Sequence, residues 1–140
     1  MPRVKIIEPS KYIHKTHIKV RVTDLNYGNH LANESVLAYA HQARIAFLSE
    51  HGKSELDFWG TSLIQGDAAI TYQSEGFLSN NISIELGLDD VSNSSFDFVY
   101  KMVNETTGKG LALVKTRMVC FNYDDRKVTP VPEGFKSLLD

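Results

Sequence analysis

Between Thr23 and Asn33 the chain reads TDLNYGNHLAN, a short run that holds a carboxylate (Asp24), three side-chain amides (Asn26, Asn29, Asn33), a phenol (Tyr27) and an imidazole (His30). A carboxylate or an imidazole can take a proton from water and return it to a leaving group, and an imidazole ordinarily titrates at about 6.5, close to working pH. An amide cannot act as a base; it can only orient water or stabilise charge by hydrogen bonding. Two further groups could supply acid–base chemistry: His41, and Asp67, which interrupts the otherwise apolar GDAAI run. Each candidate also has a structural reading. Asp24 and Asn26 suit turn residues bonding their own backbone, Asn33 a helix cap, His41 a satisfied core or interface position, and Asp67 a solvent-facing charge or one entering a site across a subunit boundary. Arg44 is read as pairing a carboxylate or capping a loop, and Phe58 and Trp59 as core or pocket wall. Cys120, with no base beside it in sequence, is read as a buried inert thiol.

The elements flanking this run must hold it in place. From His14 to Thr23, Ile18, Val20 and Val22 alternate with Lys19 and Arg21, the period of a half-buried strand, which predicts a first strand running into Asp24. Asn33 as cap, Glu34 at the positive end of the dipole, and Val36, Leu37, Ala40, Ala43, Phe47 and Leu48 at helical spacing predict a helix over 33–51, closed at Gly52. Its other positions include Ala38, Tyr39 and Ala46, so it reads as apolar nearly all round. SELDFWG follows as a short helical or turn segment. Strands are predicted at Thr61–Gly76, Ile82–Val91, Ser95–Asn104 and Leu111–Tyr123, divided by turn chemistry at SNN, SNS and ETTGKG. Phe96, Phe98, Tyr100 and Met102 share one face of the fourth strand, which should cover the helix. Both alternating sets of the last strand carry apolar residues, which predicts burial on both faces, with a subunit interface as the second cover. The tail, with DDRK, Pro130 and Pro132, reads as a wrapping segment ending in a helical turn at FKSLL. This order gives an α+β protein, an antiparallel sheet packed on one helix.

At 140 residues with 42% apolar and 23% charged, the chain suits one compact domain spanning 1–140. A net charge of -2 with scattered Lys and Arg argues against nucleic acid as a partner, although a few local cations suffice for a phosphorylated small molecule. No apolar run approaches the roughly 18 residues of a membrane span, and MPRVKII is too short and interrupted for a secretory core. A single cysteine and no Cys/His cluster exclude an internal disulfide and a structural zinc site. The expectation is a cytoplasmic protein with no membrane association.

Strand, polar loop and helix opening together resemble the hot-dog-fold thioesterases, in particular the branch related to 4-hydroxybenzoyl-CoA thioesterase and the plant acyl-ACP thioesterases. That family's loop reads Asp, any residue, Asp, three residues, His, any residue, then two Asn, before a helix carrying an acidic residue three before an Arg. Asp24, His30, Asn33 and Arg44 match without a gap, and Tyr72 falls where the family often ends its second strand with Tyr. Asn26 stands at the second Asp, Asn29 at a common Gly, Ala32 at the first of the paired Asn, and His41 at the helix acid. The resemblance implies a five-stranded antiparallel sheet wrapped around one long central helix, assembled as a homodimer or homotetramer with sites between subunits. It implies hydrolysis of an acyl thioester, acyl-CoA or an acyl-carrier thioester, with no metal or cofactor beyond the coenzyme A of the substrate.

In much of that family the second Asp activates water or attacks the thioester, and Asn26 cannot, so another group must take the proton: Asp24, His30, His41 or Asp67. The carbonyl develops negative charge on attack, and helix N-terminal N–H groups near Asn29, His30 and Asn33 could stabilise it, one donor being typically worth roughly 3–4 kcal/mol. Substrate contacts are expected from Tyr27, Asn29 and Asn33. Two alternatives stand beside hydrolysis. Hot-dog hydratases and dehydratases of enoyl thioesters carry Asp, any residue, Asn and a nearby His, usually one residue closer than His30 is to Asn26. A non-catalytic acyl-thioester binding protein would also explain the missing carboxylate.

Overall fold

The computed structural model describes residues 4–139. The readings that concern residues 1–3 and 140 lie outside it. Five strands pair antiparallel in the order β1-β3-β4-β5-β2: β1 (Tyr12–Lys19), β2 (Ser62–Tyr72), β3 (Asn81–Asp89), β4 (Ser95–Asn104) and β5 (Lys109–Asn122). The helix α1 (Asn33–Glu50) lies on one face of this sheet, and a short helix α2 (Glu133–Lys136) ends the chain with one further helical turn, as the FKSLL tail predicts.

The alternation read in the strands decides which face meets α1. Ile82, Ile84 and Leu86 of β3, Phe96, Phe98, Tyr100 and Met102 of β4, and Ala112, Val114, Met118 and Cys120 of β5 are all buried, and they enclose Val36, Tyr39, Ala40, Ala43, Phe47 and Leu48 of α1. Phe47 meets Phe98 edge to face at 6.0 Å, the geometry that ring quadrupoles favour. At its far end α1 stops as Gly52 predicts: with φ 66 it lets its own N–H reach Ser49 O (3.0 Å) and the Lys53 N–H reach Leu48 O (2.8 Å), closing the last carbonyls.

Several expectations need correction. The first strand ends at Lys19, not Thr23, because the Asp24 carboxylate accepts the Arg21 N–H at 3.0 Å and folds Val22–Asp24 into a 3-10 turn. Val20 is therefore core while Val22 is 71% exposed. Helix α1 starts after Ala32, whose side chain cannot cap, so Asn33 is its first residue and not its cap. It is also open on one side: Ala38, His41, Gln42 and Ile45 are exposed, since one sheet covers only one face of a helix. Of the two readings of SELDFWG the turn holds and the helix does not: Phe58–Thr61 is a tight turn with Trp59 at φ 50 and Gly60 at φ 94, the signs a two-residue hairpin turn requires. The sheet gains a sixth strand, β6 (Lys127–Val128), because the turn around Arg126 (φ 57) returns the tail onto Phe121 and Asn122. The outward set of β5, Leu113, Lys115, Arg117 and Val119, is half-buried within one chain, on the face for which a subunit interface is the expected cover.

Candidate active site

The polar loop is a small hairpin. Leu25 and Leu31 bridge, and the Asn26 N–H donates to His30 O at 2.8 Å. The Asn26 side-chain oxygen accepts from the Gly28 N–H (2.9 Å) and the His30 N–H (3.2 Å), so its amide oxygen is turned into the loop and its NH2 is the end left to face outward. Asn29 closes the turn at φ 63, a conformation Asn tolerates and the one a three-residue hairpin loop needs at its last position. Tyr27 stands at the tip, fully exposed.

Asp24 anchors this hairpin to α1. Its backbone oxygen accepts the Ala32 N–H (3.0 Å) and the Ser35 hydroxyl (2.9 Å), and its carboxylate accepts the Tyr39 hydroxyl (2.7 Å) and the Arg21 backbone and guanidinium. Burial alone would push this carboxyl up, but the bonds from Tyr39 and Arg21 outweigh it and hold the group below the usual carboxylate range. The same partnership, after burial, pushes the Tyr39 phenol far up. The Asp24 side chain therefore faces a groove beside β1 with Tyr39 and Arg21, on the opposite side of the hairpin from His30.

On the His30 side lies a cleft of about 290 Å³ between the hairpin, the start of α1 and the segment after β2, with Asn26, His30, Asn33, Tyr72 and Glu75 at its polar rim and Leu31, Val36 and Leu111 beneath. The Leu31 N–H bonds to Gly76 O at 2.8 Å, which holds the post-β2 segment against the hairpin. Tyr72 reaches Asn33 O at 3.3 Å, so the strand end and the helix start share a wall. The Asn33 and Glu34 N–H groups, in the first turn, have no acceptor among the described residues and are available to a ligand oxygen.

The carboxylate of the cleft is Glu75. Its Oε2 lies 3.1 Å from His30 Nδ1, close enough for an ion pair but too poorly aligned for a hydrogen bond, so the buried Nδ1 has no bonded partner among the described residues. The Glu75 side chain is 65% exposed. The Phe77 ring sits 5.2 Å from the imidazole, tilted against it. Nothing in the local sequence distinguishes Glu75 from an ordinary loop glutamate; only the turn after β2 brings it beside a residue 45 positions earlier.

The other candidates stand elsewhere in the chain. His41 lies eight residues along α1 from Asn33, about 12 Å at 1.5 Å per residue, and bonds Glu55 at 3.0 Å. Glu55 also takes Arg44 Nε at 3.0 Å, and Arg44 continues to the Tyr100 hydroxyl (2.9 Å) and so to Thr116, a buried chain that fulfils the carboxylate-pairing reading of Arg44. Asp67 projects from a bulge in β2 and pairs with Lys115 at 3.2 Å. Phe58 is core with Phe96 and Phe135, with Trp59 packed against it. Cys120 is fully buried, and burial pushes its thiol up to about 11. Among the described residues no group of His, Cys, Asp and Glu could hold a metal ion, and no helix is long and apolar enough to cross a membrane.

A curled antiparallel sheet on a single helix, with a polar cleft at the helix start, defines a hot-dog protein. The family follows from the sequence: the chain belongs to the thioesterase-like superfamily, whose model matches residues 20–139. A search of curated proteins finds no match. Among solved structures, a 1,4-dihydroxy-2-naphthoyl-CoA thioesterase from Synechocystis is 19% identical with a TM-score of 0.81, covering 90% of this chain and 94% of its own. A DHNA-CoA thioesterase from Staphylococcus aureus is 18% identical with a TM-score of 0.76, covering 89% and 84% respectively. At such identities these likenesses establish the fold.

Proposed function

We propose that this protein hydrolyses an acyl thioester, of coenzyme A or a similar carrier, in the cleft between His30 and Glu75. The observation that carries the reading is the His30–Glu75 pair, which returns to the cleft the proton acceptor that Asn26 cannot supply. A thioester carbonyl placed over the start of α1 would accept from the free Asn33 and Glu34 N–H groups and from the Asn26 NH2. Water held by His30 attacks the carbonyl carbon, its proton passing to the Glu75–His30 pair as the new C–O bond forms. Collapse of the tetrahedral species breaks the C–S bond, and the pair returns the proton to the thiolate. Each donor on the oxyanion contributes on the order of 3 kcal/mol, which makes the helix start as important as the base.

Asp24 acts here through position, fixing hairpin to helix, while Tyr27 and Asn29 at the hairpin tip would meet the carrier end of the substrate. His41 and Asp67 would contribute only across a subunit boundary. Such a boundary is supported by β2, which ends the sheet with Gln65–Ala68 exposed and its outer edge unpaired among the described residues, a template for a second copy and the basis for a homodimer or homotetramer. We infer a cytoplasmic enzyme that needs no cofactor besides the coenzyme A of its substrate. The test is a panel of saturated and 2-enoyl-CoA esters. Release of free thiol supports hydrolysis; loss of enoyl absorbance without thiol identifies a hydratase, and saturable binding with neither identifies a binding protein.

A further inference from the structure

Among the described residues no hydrogen bond orients the His30 imidazole. Its Nδ1 is buried and unbonded, with Glu75 3.1 Å away but out of alignment. A histidine that moves protons is normally fixed by the bond its second ring nitrogen makes, so this ring has to be held by what it touches. A Cβ built on Gly28 would stand 3.4 Å from His30 Cδ2, which bounds that edge of the ring with backbone alone. The remaining contact is Phe77, whose ring centre lies 5.2 Å from that of the imidazole with the two planes 44° apart, the one aromatic neighbour of His30 among the described residues.

Phe77 is seated in turn by a chain of amides. It opens a four-residue turn in which the Asn80 N–H donates to Phe77 O (3.0 Å) and the Phe77 N–H donates to the Asn80 side-chain oxygen (3.0 Å). The same oxygen accepts the Asn104 side-chain NH2 at 2.8 Å, and Asn104, the last residue of β4, is fully buried. Two main-chain bonds tie the turn to Val20, just past the end of β1: the Ser79 N–H to Val20 O at 3.0 Å and the Val20 N–H to Asn80 O at 2.9 Å. Ser79 is held at φ 67, a conformation serine seldom takes and one that persists where surrounding bonds over-determine it. Burial does not account for this shape, because Phe77 is 43% and Leu78 53% exposed. From this geometry we infer that Phe77 and Asn80 are positioning residues for His30: the Asn104–Asn80 amide pair sets the turn, and the Phe77 ring it presents keeps the imidazole in place at the cleft. The kinetic consequence rests on the hydrolase reading above; the orientation of the ring does not.

An aromatic pair favours its packed rotamer by about two- to tenfold, and a reacting group misplaced by about 1 Å can lose about a hundredfold in rate. The experiment measures kcat and KM for thiol release from acyl-CoA esters in Phe77→Ala, Phe77→Tyr, Asn80→Ala and Asn80→Asp. Phe77→Ala and Asn80→Ala should each lower kcat by about five- to a hundredfold with KM changed by less than about twofold. Phe77→Tyr keeps the ring and Asn80→Asp keeps the shared acceptor oxygen, so each should recover most of the loss; a residue that only stabilised the fold would show neither the split nor the recovery. A fall in kcat smaller than about fivefold in Phe77→Ala, or no recovery in Phe77→Tyr, would overturn the inference. Phe77 is 43% exposed, so its variants carry the test if Asn80→Ala does not fold. Ring orientation is read without turnover, by NMR: cross-relaxation between the His30 and Phe77 ring protons should be present in the wild-type protein and in Asn80→Asp, and lost in Asn80→Ala. That pattern with no thiol released from any ester by the wild-type protein keeps the positioning role and ends the hydrolase reading. Wild-type turnover with the ring contact intact in Asn80→Ala does the reverse.

Discussion

Replacing Glu75 by Gln removes a proton acceptor while keeping the shape and hydrogen-bonding capacity of the side chain, and the structure allows two very different magnitudes for the loss. The carboxylate is 65% exposed and 3.1 Å from His30 Nδ1. If the contact is an ordinary surface ion pair, it contributes about 0–1 kcal/mol, or at most about fivefold in any equilibrium it touches. If Glu75 receives the proton of the attacking water, its loss falls in the range of about 10²–10⁴ in rate. The assay is thiol release from a hydrolysed acyl-CoA, with kcat and KM determined separately. We expect kcat to fall at least about a hundredfold with KM little changed, because the group acts on water and proton and not on substrate binding. His30→Ala should cost more than about tenfold, and the double variant should lose little beyond the worse single variant, since groups that act as one unit are not additive. Thermal unfolding of Glu75→Gln should match the wild-type protein, an exposed position being worth within about 0.5 kcal/mol. A fall in kcat of less than about fivefold, with the fold intact, would refute the role of Glu75 and leave His30 as the cleft's one candidate base among the described residues.

Three other outcomes are expected. In the Glu75→Gln background, Asn26→Asp should restore turnover by at least about tenfold. Its carboxylate would keep the Gly28 and His30 N–H bonds on one oxygen and turn the other toward the cleft; no rescue would place residue 26 out of reach of the attacking water. The depressed pKa of Asp24 makes a stability contribution that is complete above the unfolded value of about 3.9 and is lost as pH falls through the folded one. Chemical denaturation should therefore show wild-type stability dropping below about pH 4. Asp24→Asn should be about 1–3 kcal/mol less stable at pH 7 and flatter across that acid range, whereas parallel pH profiles would remove Asp24 as an ionised anchor. Light scattering should give at least twice the 15.7 kDa chain mass for the wild-type protein, and Ala68→Lys on the open edge of β2 should lower it to that of one chain; a monomeric wild-type protein would exclude the β2 interface.

Local chemistry made much of this protein readable from its residues. Period-two alternation at Phe96–Met102 assigns the inner face of β4 without reference to any partner, and Gly52 ends α1 because only a left-handed residue can close those carbonyls. The hairpin is similarly local, since the bonds that shape it join Asn26 to Gly28, Asn29 and His30. Where the periodic pattern ran past its element, a side chain had intervened: Asp24 captured the Arg21 N–H and ended β1 four residues early. A hydrophobic alternation cannot register that competition, because Val22 reads as a core residue until the chain turns.

Which side chains meet was decided only by the tertiary structure. Asp24 and His30 are neighbours in the chain, yet the hairpin sends their side chains to opposite sides, one to Tyr39 and the other to the cleft. His41, aligned with an acidic position by spacing alone, is drawn to Glu55. Glu75 carries no signal in its own surroundings and acquires significance because the antiparallel return of β2 and the Leu31–Gly76 backbone bond deliver it to His30. Sequence spacing determines what a strand, turn or helix does with its own atoms; which carboxylate meets which imidazole depends on how those elements pack, and no local interaction encodes it.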